Sequence, residues 1–375
     1  MNLRTYKNVS ERRAAIEKQC HVDLKHIGSF TLDETVAATR NCENMIGAAQ
    51  IPIGIAGPVN GKYIPLATTE GALVASVNRG CKAITESGGA AVDSYRVGAT
   101  RGPVFKVKNL KESDQLNDFL EKNFADLQKI AARTSRHLTL TKYMDRGVGR
   151  YRYVRFVFDT RDAMGMNMVT IATQKLAEFI ETKSGARCIS VAGNYDVDKK
   201  PSWLNVIEGR GIKAWAEVTL TERVLKNILK TTARNMFDVW LAKCMMGSAM
   251  AGSMAFNAQF ANVVAALFLA TGQDMAHVVE GSLGMTTMEI GNGNSLYVSV
   301  YLPDLMIGTV GGGTGLATQR EALLLIGAKT SQEFAEIIAA AVLAGEISLL
   351  ASLSEGTLAR AHQKFARGKI LSTKY

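Results

Sequence analysis

The sequence has few cysteines and few prolines, and both shortages exclude classes of protein. Its 375 residues include five cysteines, which are widely spaced, odd in number and never arranged as C-x-x-C. That usage argues against a disulfide framework and a zinc site, and it predicts a reducing compartment. Six prolines beside 34 glycines indicate close backbone approaches rather than stiff linkers.

A long hydrophobic run is also missing. The two longest apolar stretches, Val263–Ala270 and Ile337–Gly345, are far shorter than the ~20 residues that span a membrane. The first residues lack the apolar segment of a secretory signal, so we expect a cytoplasmic protein without a membrane partner. With 47% hydrophobic and 21% charged residues the chain is typical of globular proteins, and its length predicts two or three domains.

Positive charge is abundant and concentrated in one segment. The formal net charge is +10, and residues 101–155 carry thirteen Lys or Arg against six Asp or Glu. Such a segment fits nucleic acid, an anionic lipid surface or a phosphorylated small molecule. Its aromatic residues are scattered rather than interleaved with the basic ones, which disfavours a base-stacking nucleic-acid surface.

The order of predicted elements indicates an α+β fold. Residues 1–39 are helical and polar, and the T-L-D-E spacing predicts a short helix that Thr31 caps. Residues 103–190 predict the order β-α-β-β-α-β, the split βαβ or ferredoxin-like pattern. No G-x-G-x-x-G follows a strand there, so a Rossmann nucleotide site is not supported. Residues 40–102 and 191–375 alternate glycine-rich turns with apolar segments.

Individual elements follow from hydrophobic periodicity. In the unit 103–190 we expect strands at 104–107, 138–143, 151–158 and 188–191, with helices at 113–132 and 169–182. A small-residue helix within 67–91 ends at Ser87-Gly88-Gly89. Other predicted helices cover 9–19, 221–230, 237–246, 258–271, 333–353 and 356–367, and predicted strands cover 296–302 and 306–309.

Several polar residues stand where a purely structural core would not place them. Glu70 precedes an apolar helix, as either a first-turn acid or a functional carboxylate. Asp274 follows a predicted helix end, against the helix dipole, which suggests a site. The run 198–201 is either a solvated charge run or part of a site, and 311–314 is either a flexible turn or a phosphate cradle. A lone His362 in a late helix is by itself weak evidence of catalysis.

Eleven short motifs follow one another along the chain. They are E-N-M-I-G at 43–47, A-T-T-E-G-A-L-V-A-S-V-N-R-G at 67–80, T-R-G-P at 100–103, D-A-M-G-M-N-M at 162–168, G-N-Y at 193–195, D-K-K-P at 198–201, I-E-G-R-G at 207–211, G-S-A-M-A-G-S at 247–253, G-Q-D at 272–274, G-T-V-G-G-G-T at 308–314 and A-G-E-I-S-L at 344–349. In this order they resemble the 3-hydroxy-3-methylglutaryl-coenzyme A (HMG-CoA) reductase family of the class I type. The similarity covers about nine tenths of the chain.

The resemblance implies an architecture and an assembly. A helical segment of 1–39 would precede a large HMG-CoA-binding domain of 40–102 and 191–375, into which a small NADP-binding domain of 103–190 is inserted. Family members are homodimers or dimers of dimers with the active site at the subunit interface, to which 43–47 belongs. The implied ligands are HMG-CoA and NADPH, with no metal, no nucleic acid and no membrane.

The implied reaction reduces the (S)-HMG-CoA thioester to mevalonate and free CoA with two NADPH, through mevaldyl-CoA and mevaldehyde, in the isoprenoid pathway. By resemblance Lys199 stabilises the developing oxyanion and Glu70 donates the proton. Asp274 lies between these two residues. His362 protonates the departing CoA thiolate, a task that suits imidazole at neutral pH.

The resemblance also assigns binding residues. Those for the HMG group are Arg101, Asp198, Lys200, Lys243 and Asn262, and those for CoA are Ser76, Asn78, Arg79 and Lys230. Those for the dinucleotide are Asp162, Met164, Gly165, Met166, Asn167, Val310, Gly311, Gly312 and Gly313. Those for the 2′-phosphate of NADP are Ser135, Arg136 and Arg367.

Two positions depart from the family pattern, and two alternatives remain open. Ala192 stands where the family usually has Ser, and Gln259 where many members have His. One alternative is an enzyme of the same fold that runs oxidatively with NAD, although Ser135 and Arg136 favour NADP. The other is a non-catalytic nucleic-acid-binding protein that uses the basic segment, against which the presence of all four catalytic residue types argues.

Overall fold

The computed structural model describes residues 6–20, 25 and 28–356. Within these residues ten strands form an eight-stranded sheet and a two-stranded hairpin, surrounded by helices. The strands are β1 Ile53–Val59, β2 Lys62–Ala67, β3 Ala91–Arg101, β4 Val104–Lys106, β5 Thr139–Val148, β6 Tyr151–Asp159, β7 Arg187–Ser190, β8 Arg210–Leu220, β9 Met285–Ile290 and β10 Leu296–Leu305.

The helices precede, connect and follow these strands. They are α1 Val9–Cys20, α2 Glu34–Arg40, α3 Leu73–Glu86, α4 Leu110–Lys122, α5 Phe124–Thr134, α6 Met166–Ser184, α7 Trp203–Glu208, α8 Glu222–Val224, α9 Ala233–Trp240, α10 Ser248–Met250, α11 Phe260–Thr271, α12 Val278–Gly281, α13 Ala317–Ile326 and α14 Ser331–Ser354. Wider π-helical turns follow α8 at Leu225–Leu229 and α9 at Leu241–Gly247.

The large sheet is continuous and antiparallel, with the order β7-β4-β6-β3-β8-β10-β9 and β5 paired to β6. Both β4 and β5 pair antiparallel with β6, so they run parallel to each other with β6 between them. Likewise β6 and β7 both pair antiparallel with β4. Two βαβ units, each split by a third strand, confirm the predicted α+β class and its ferredoxin-like pattern.

Two large hydrophobic clusters lie on different parts of this sheet. One surrounds α14, a 24-residue helix long and apolar enough to cross a membrane. Of its most apolar 18-residue window, however, 83% is buried, as in the core helix of a globular protein. Gly80 on α3 lets that helix approach closely, because a Cβ there would lie 1.9 Å from the Ala344 carbonyl oxygen. The other cluster packs α4, α5 and α6 on β4 to β6. A small third cluster joins Val9, Ala37 and Met45.

Two predicted features in the first half of the chain were wrong for local reasons. The helix expected over 113–132 is two helices, because the chain turns at Asn123, whose side chain bonds the Phe119 carbonyl at 2.8 Å. The short N-terminal helix is capped by Asp33 rather than Thr31, since Asp33 Oδ1 accepts the Val36 N–H at 3.0 Å. The small-residue helix predicted within 67–91 covers Leu73–Glu86 and ends at Ser87, as expected.

Strand β10 runs through Pro303 to Leu305, so the separate strand expected at 306–309 does not form. The ladder shifts register between Leu302 and Asp304, which accommodates a residue without an N–H. The strands β3, β8 and β9 were not predicted. The helix expected at 356–367 lies outside the described residues.

Candidate active site

Lys199 and Asp274 form an ion pair at the edge of the large cluster. Lys199 Nζ lies 2.7 Å from Asp274 Oδ2, and their side chains are 38% and 34% exposed. Partial burial acts to raise the pKa of Asp274, but hydrogen bonds from Lys199 and from the Ala276 N–H hold that pKa below its ordinary value. The pair therefore places a compensated cation in a partly exposed position.

The loop that carries Lys199 has an unusual backbone. Asn194, Val197 and Lys199 all have positive φ, at 64°, 53° and 57°. Non-glycine residues in this region cost energy and persist where the surroundings fix them. Asn205 Nδ2 holds the Val197 carbonyl at 3.1 Å, and Thr100 Oγ1 holds the carbonyl of Asp196 at 2.8 Å.

A buried charge cluster lies beneath this loop. Arg210 is fully buried and donates to Glu280 Oε1 at 2.6 Å and to Asp198 Oδ1 at 2.8 Å. His277 Nδ1 lies 2.7 Å from the same Glu280 oxygen. Asp198, His277 and Glu280 offer ligand atoms within 4.8 Å of one another, but Arg210 already supplies the positive charge between the two carboxylates.

Arg101, the last residue of β3, contacts the same loop. Its Nη1 approaches Asp196 Oδ2 at 3.4 Å and Asp198 Oδ2 at 3.5 Å, while Nε and Nη2 bond Thr170 Oγ1 on α6. The guanidinium is 15% exposed. It therefore joins the ferredoxin-like half of the sheet to the Lys199 loop.

Glu70 lies in the loop before α3 and not in the first turn of that helix. Its carboxylate is exposed and accepts a 3.2 Å hydrogen bond from Asn262 Nδ2, in the first turn of α11. The start of α11 is itself fixed by Glu346, which accepts the backbone N–H groups of Ala258 and Gln259 at 2.8 and 2.6 Å. Burial raises the pKa of Glu346.

Lys200 and Lys243 are both exposed. Lys200 Nζ bonds the Asp198 carbonyl at 3.1 Å, so it stays with the Lys199 loop. Lys243 lies on the π-helical turn after α9, and its charge acts on the buried Glu346. The structure thus associates Lys243 with the segment that carries Asn262.

The predicted CoA residues gather where α3 meets the end of α14. Ser76 Oγ and Arg79 Nε both bond Ser348 Oγ at 3.0 Å, and Arg79 also donates to the Ser348 carbonyl. Burial lowers the pKa of Arg79, which Glu355 partly offsets. Asn78 accepts the Gly57 N–H at 3.0 Å, and Lys230 caps the π-helical turn after α8 with a φ of 62°.

The two predicted dinucleotide motifs lie side by side. The Asp162 carbonyl accepts the Thr309 N–H at 2.8 Å, and Ala163 pairs with Val310 in a β-bridge. A Cβ at Gly308 would lie 2.6 Å from Met164 N. Between them these contacts join the start of α6, with Gly165, Met166 and Asn167, to the turn of Gly311 and Gly312.

That turn also contacts the segment of Asp274. A Cβ on Gly272 would lie 2.4 Å from the Gly313 carbonyl oxygen, so only glycine fits at this backbone crossing. Asp274 follows Gly272 by two residues. The structure therefore brings the glycine-rich turn and the Lys199–Asp274 pair together.

Ser135 and Arg136 lie at the end of α5. Ser135 Oγ approaches Met168 Sδ on the first turns of α6 at 3.6 Å, and Arg136 is exposed with its Nε 3.0 Å from His137 Nε2. This position is close to the start of α6, as the prediction requires. His362 and Arg367 lie outside the described residues.

Sequence reasoning missed the buried residues that support the loop. Arg210 was present in the I-E-G-R-G motif without a role, and His277 and Glu280 follow G-Q-D closely. The complete burial of these three polar side chains is the signal that the structure adds. At the two departures from the family pattern, Ala192 is exposed and Gln259 Nε2 bonds the Gly345 carbonyl at 2.6 Å.

Comparisons with known proteins agree on one family. A sequence profile described as hydroxymethylglutaryl-coenzyme A reductase matches residues 8–367. A 3-hydroxy-3-methylglutaryl-coenzyme A reductase of Methanocaldococcus jannaschii is 50% identical, over 95% of this chain and 92% of that protein. One from Methanothermobacter thermautotrophicus is 48% identical, over 95% and 93%. 3-Hydroxy-3-methylglutaryl coenzyme A reductase 1 of Cannabis sativa is 41% identical, over 95% of this chain and 65% of that protein.

A solved structure with a similar fold belongs to a distant relative. It is the class II 3-hydroxy-3-methylglutaryl-CoA reductase of Streptococcus pneumoniae bound to NADPH in open conformations. The TM-score is 0.71 with 19% identity, over 92% of this chain and 97% of that chain. This likeness concerns the fold alone.

Proposed function

Because the chain belongs to the hydroxymethylglutaryl-coenzyme A reductase family, we propose that it reduces (S)-HMG-CoA to mevalonate and free CoA with two NADPH. The observation that carries this proposal is the 2.7 Å contact between Lys199 and Asp274 beside the glycine-rich turn. A fixed ammonium in a half-buried site can stabilise the oxyanion that develops when a carbonyl accepts a hydride. The reaction is a step of the mevalonate route to isoprenoids.

Lys199 faces the thioester oxygen in the first reduction and the aldehyde oxygen in the second. Asp274 orients the ammonium, and its low pKa keeps it ionised at neutral pH. Glu70 delivers the proton to the reduced oxygen. The Asn262 amide holds the Glu70 carboxyl from a second element, which supports its orientation.

His362 protonates the CoA thiolate as the hemithioacetal collapses, after the first hydride transfer. The support for this role is the sequence resemblance. Arg79 and Lys230 fit the phosphates of CoA near the end of α14, together with Ser76 and Asn78. The substrate carboxylate pairs with Arg101, Lys200 and Lys243, with Asp198 fixing Arg101 and Lys200 in the loop.

The residues present fit a dinucleotide. Gly165 begins a 19-residue helix with a φ of 85°, and the helix N-terminus offers unpaired N–H groups to a phosphate. Cβ atoms on Gly311 and Gly312 would meet nothing within 4 Å, so this backbone is open to a ligand. When bound, NADPH supplies the hydride for both reductions. Asp162, Met164, Met166, Asn167, Val310 and Gly313 complete the cradle.

Ser135, Arg136 and Arg367 select NADPH through its 2′-phosphate. The exposed Arg136 and the positive surplus at 101–155 support that preference. We assign the small dinucleotide domain to 103–190, the N-terminal segment to 1–39 and the HMG-CoA-binding domain to the rest. The separate hydrophobic cluster on β4 to β6 supports this division.

The assembly we propose is a homodimer or a dimer of dimers with the active site at the interface. Three exposed apolar side chains on the β1–β2 hairpin, Ile53, Ile55 and Tyr63, support an interface close to 43–47. We place the enzyme in the class I type on its motif set and in the cytoplasm on its composition.

Nicotinamide absorbance during turnover tests the activity. We expect HMG-CoA-dependent oxidation of NADPH, two per mevalonate, and much weaker oxidation of NADH. Lys199→Met should lower the rate severely, whereas Lys108→Met, in an exposed surface pair, should not. A folded preparation that consumes no NADPH with HMG-CoA would refute the proposal. Preference for NAD would favour the alternative of an oxidative, NAD-dependent enzyme. Salt-dependent nucleic-acid binding would favour the alternative of a non-catalytic nucleic-acid-binding protein.

A further inference from the structure

Glu280 is a buried carboxylate that the proposed reaction does not use. Its side chain is completely buried on α12, yet one oxygen, Oε1, takes three contacts. The partners are the Lys199 N–H at 3.1 Å, Arg210 Nη1 at 2.6 Å and His277 Nδ1 at 2.7 Å. Because a carboxylate oxygen accepts, all three partners donate to it.

The contact with Lys199 is made through the backbone. Lys199 adopts a φ of 57°, in the left-handed region, which is unfavourable for residues other than glycine. Its N–H points away from the surface toward Glu280, while its ammonium points outward to Asp274. A fixed acceptor beneath the loop therefore determines the direction in which the Lys199 side chain leaves the backbone.

One short segment, 274–281, contacts both the backbone N–H and the side-chain ammonium of Lys199. Asp274 contacts the ammonium, and Glu280, six residues later, contacts the backbone N–H. His277 lies between them, with Nε2 3.8 Å from Asp274 Oδ2 and Nδ1 on Glu280. The segment 274–281 therefore fixes the distance between the two partners of Lys199, which are Glu280 for the backbone N–H and Asp274 for the ammonium.

We infer that Glu280 is a positioning residue for the reaction, which holds the Lys199 backbone so that its ammonium faces the reacting oxygen. The inference rests on the proposed role of Lys199. Glu280 is completely buried, so we assign it an action through Lys199 and not on the reacting groups themselves. Arg210 compensates its charge and makes burial of the carboxylate tolerable.

Two substitutions separate position from charge. Glu280→Asp keeps the charge opposite Arg210 but withdraws the carboxylate by about 1.5 Å, one carbon–carbon bond, from the Lys199 N–H. Glu280→Gln removes the charge but keeps an oxygen that can accept the same three donors. We expect kcat to fall about tenfold to a hundredfold in Glu280→Asp, since small misplacements of catalytic groups have effects of that size. Glu280→Gln should retain most of the wild-type kcat.

If Glu280 only balanced the charge of Arg210, Glu280→Gln would lose more kcat than Glu280→Asp. That result would overturn the inference. The control is Asp304→Asn, which alters another fully buried acidic side chain near Arg210. Burial raises the pKa of Asp304 well above its ordinary value, and the nearby Arg210 only partly opposes that shift. Asp304→Asn should change kcat less than Glu280→Asp does. The Kd for NADPH should stay at the wild-type value in all three variants.

A double-mutant cycle and an exchange measurement complete the test. If Glu280 acts through Lys199, Glu280→Asp causes no further loss of kcat in a Lys199→Ala background. Additive losses would overturn the inference. An unaffected Lys199→Ala enzyme would instead refute the proposed role of Lys199. Should Glu280→Asp fail to fold, hydrogen exchange of the wild-type Lys199 amide decides: slow exchange supports the buried contact and rapid exchange overturns it.

Discussion

The side-chain amide of Asn262 donates to the Glu70 carboxylate across 3.2 Å, although 192 positions separate the two residues in the chain. This contact links the first turn of α11 to the loop before α3. Neither element could orient the carboxylate alone, because the Glu70 side chain is exposed on its own loop. Asn262 is therefore the group in the described residues that fixes the proposed proton donor.

Asn262→Ala should lower kcat about twofold to tenfold, since an ordinary hydrogen bond contributes about 0.5–1.5 kcal/mol and the Glu70 carboxyl is uncharged when it donates its proton. The effect should appear in both reductions, because each needs a proton at the reduced oxygen. The measurement is steady-state turnover of HMG-CoA and of mevaldehyde. The control is Asn292→Ala, in the turn between β9 and β10. Equal behaviour of the two variants would contradict the assigned contact.

Asp274 should contribute to stability in a pH-dependent way. Its pKa is lower in the folded protein, so its contribution is present above the unfolded value of about 3.9 and is lost as the pH falls through the folded value. The difference in unfolding free energy between wild type and Asp274→Asn should therefore shrink on acidification below about pH 4. Urea unfolding across acidic pH values measures it. A difference that stays constant with pH would show that the carboxylate is not stabilised in its ionised form.

Arg136→Ala should weaken NADPH binding about tenfold to a hundredfold, the value of one charge-assisted contact, and leave NADH binding unchanged. Fluorescence titration with both nucleotides gives the two Kd values. Arg133→Ala, an exposed arginine on the last turn of α5, is the matched control. If Arg136→Ala weakens both nucleotides equally, the 2′-phosphate assignment is wrong.

His362→Gln should impair HMG-CoA reduction far more than mevaldehyde reduction, because no thiolate departs in the second reaction. Loss of a general acid typically costs ~10²–10⁴-fold in rate. Lys199→Ala, in contrast, should damage both reactions, since an oxyanion develops in each. Assays of both substrates, with circular dichroism to confirm folding, distinguish the roles. Parallel losses in His362→Gln would point to a structural residue.

Periodicity located most helices and the ferredoxin-like strands, but it missed the centre of the sheet. In β8, buried apolar residues alternate with more exposed ones, which is the pattern of a strand with one face on the core. The buried residues are Ile212, Ala214, Ala216 and Val218. The split at Asn123 could not be read from the pattern, because apolar positions continue in helical spacing on both sides.

The proposed site was predictable in its chemistry but not in its support. Lys199, Asp274 and Glu70 each lie in a short sequence motif that resembles the family. Glu280 and Arg210 look like ordinary charged residues until the fold buries them against each other. The burial of Glu280 and its pairing with Arg210 arise only when elements 70 positions apart in the chain come together. A single sequence does not reveal such contacts.

The backbone crossing of Gly272 and Gly313 has an evolutionary consequence. Because main chain meets main chain there, the spacing between the proposed nucleotide turn and the segment of Asp274 does not depend on any side chain. In the proposed arrangement, substitutions around Ser135 and Arg136 would alter which nicotinamide coenzyme is accepted without moving the Lys199 ammonium relative to the proposed coenzyme site. Coenzyme preference and reaction geometry can drift independently in such a protein.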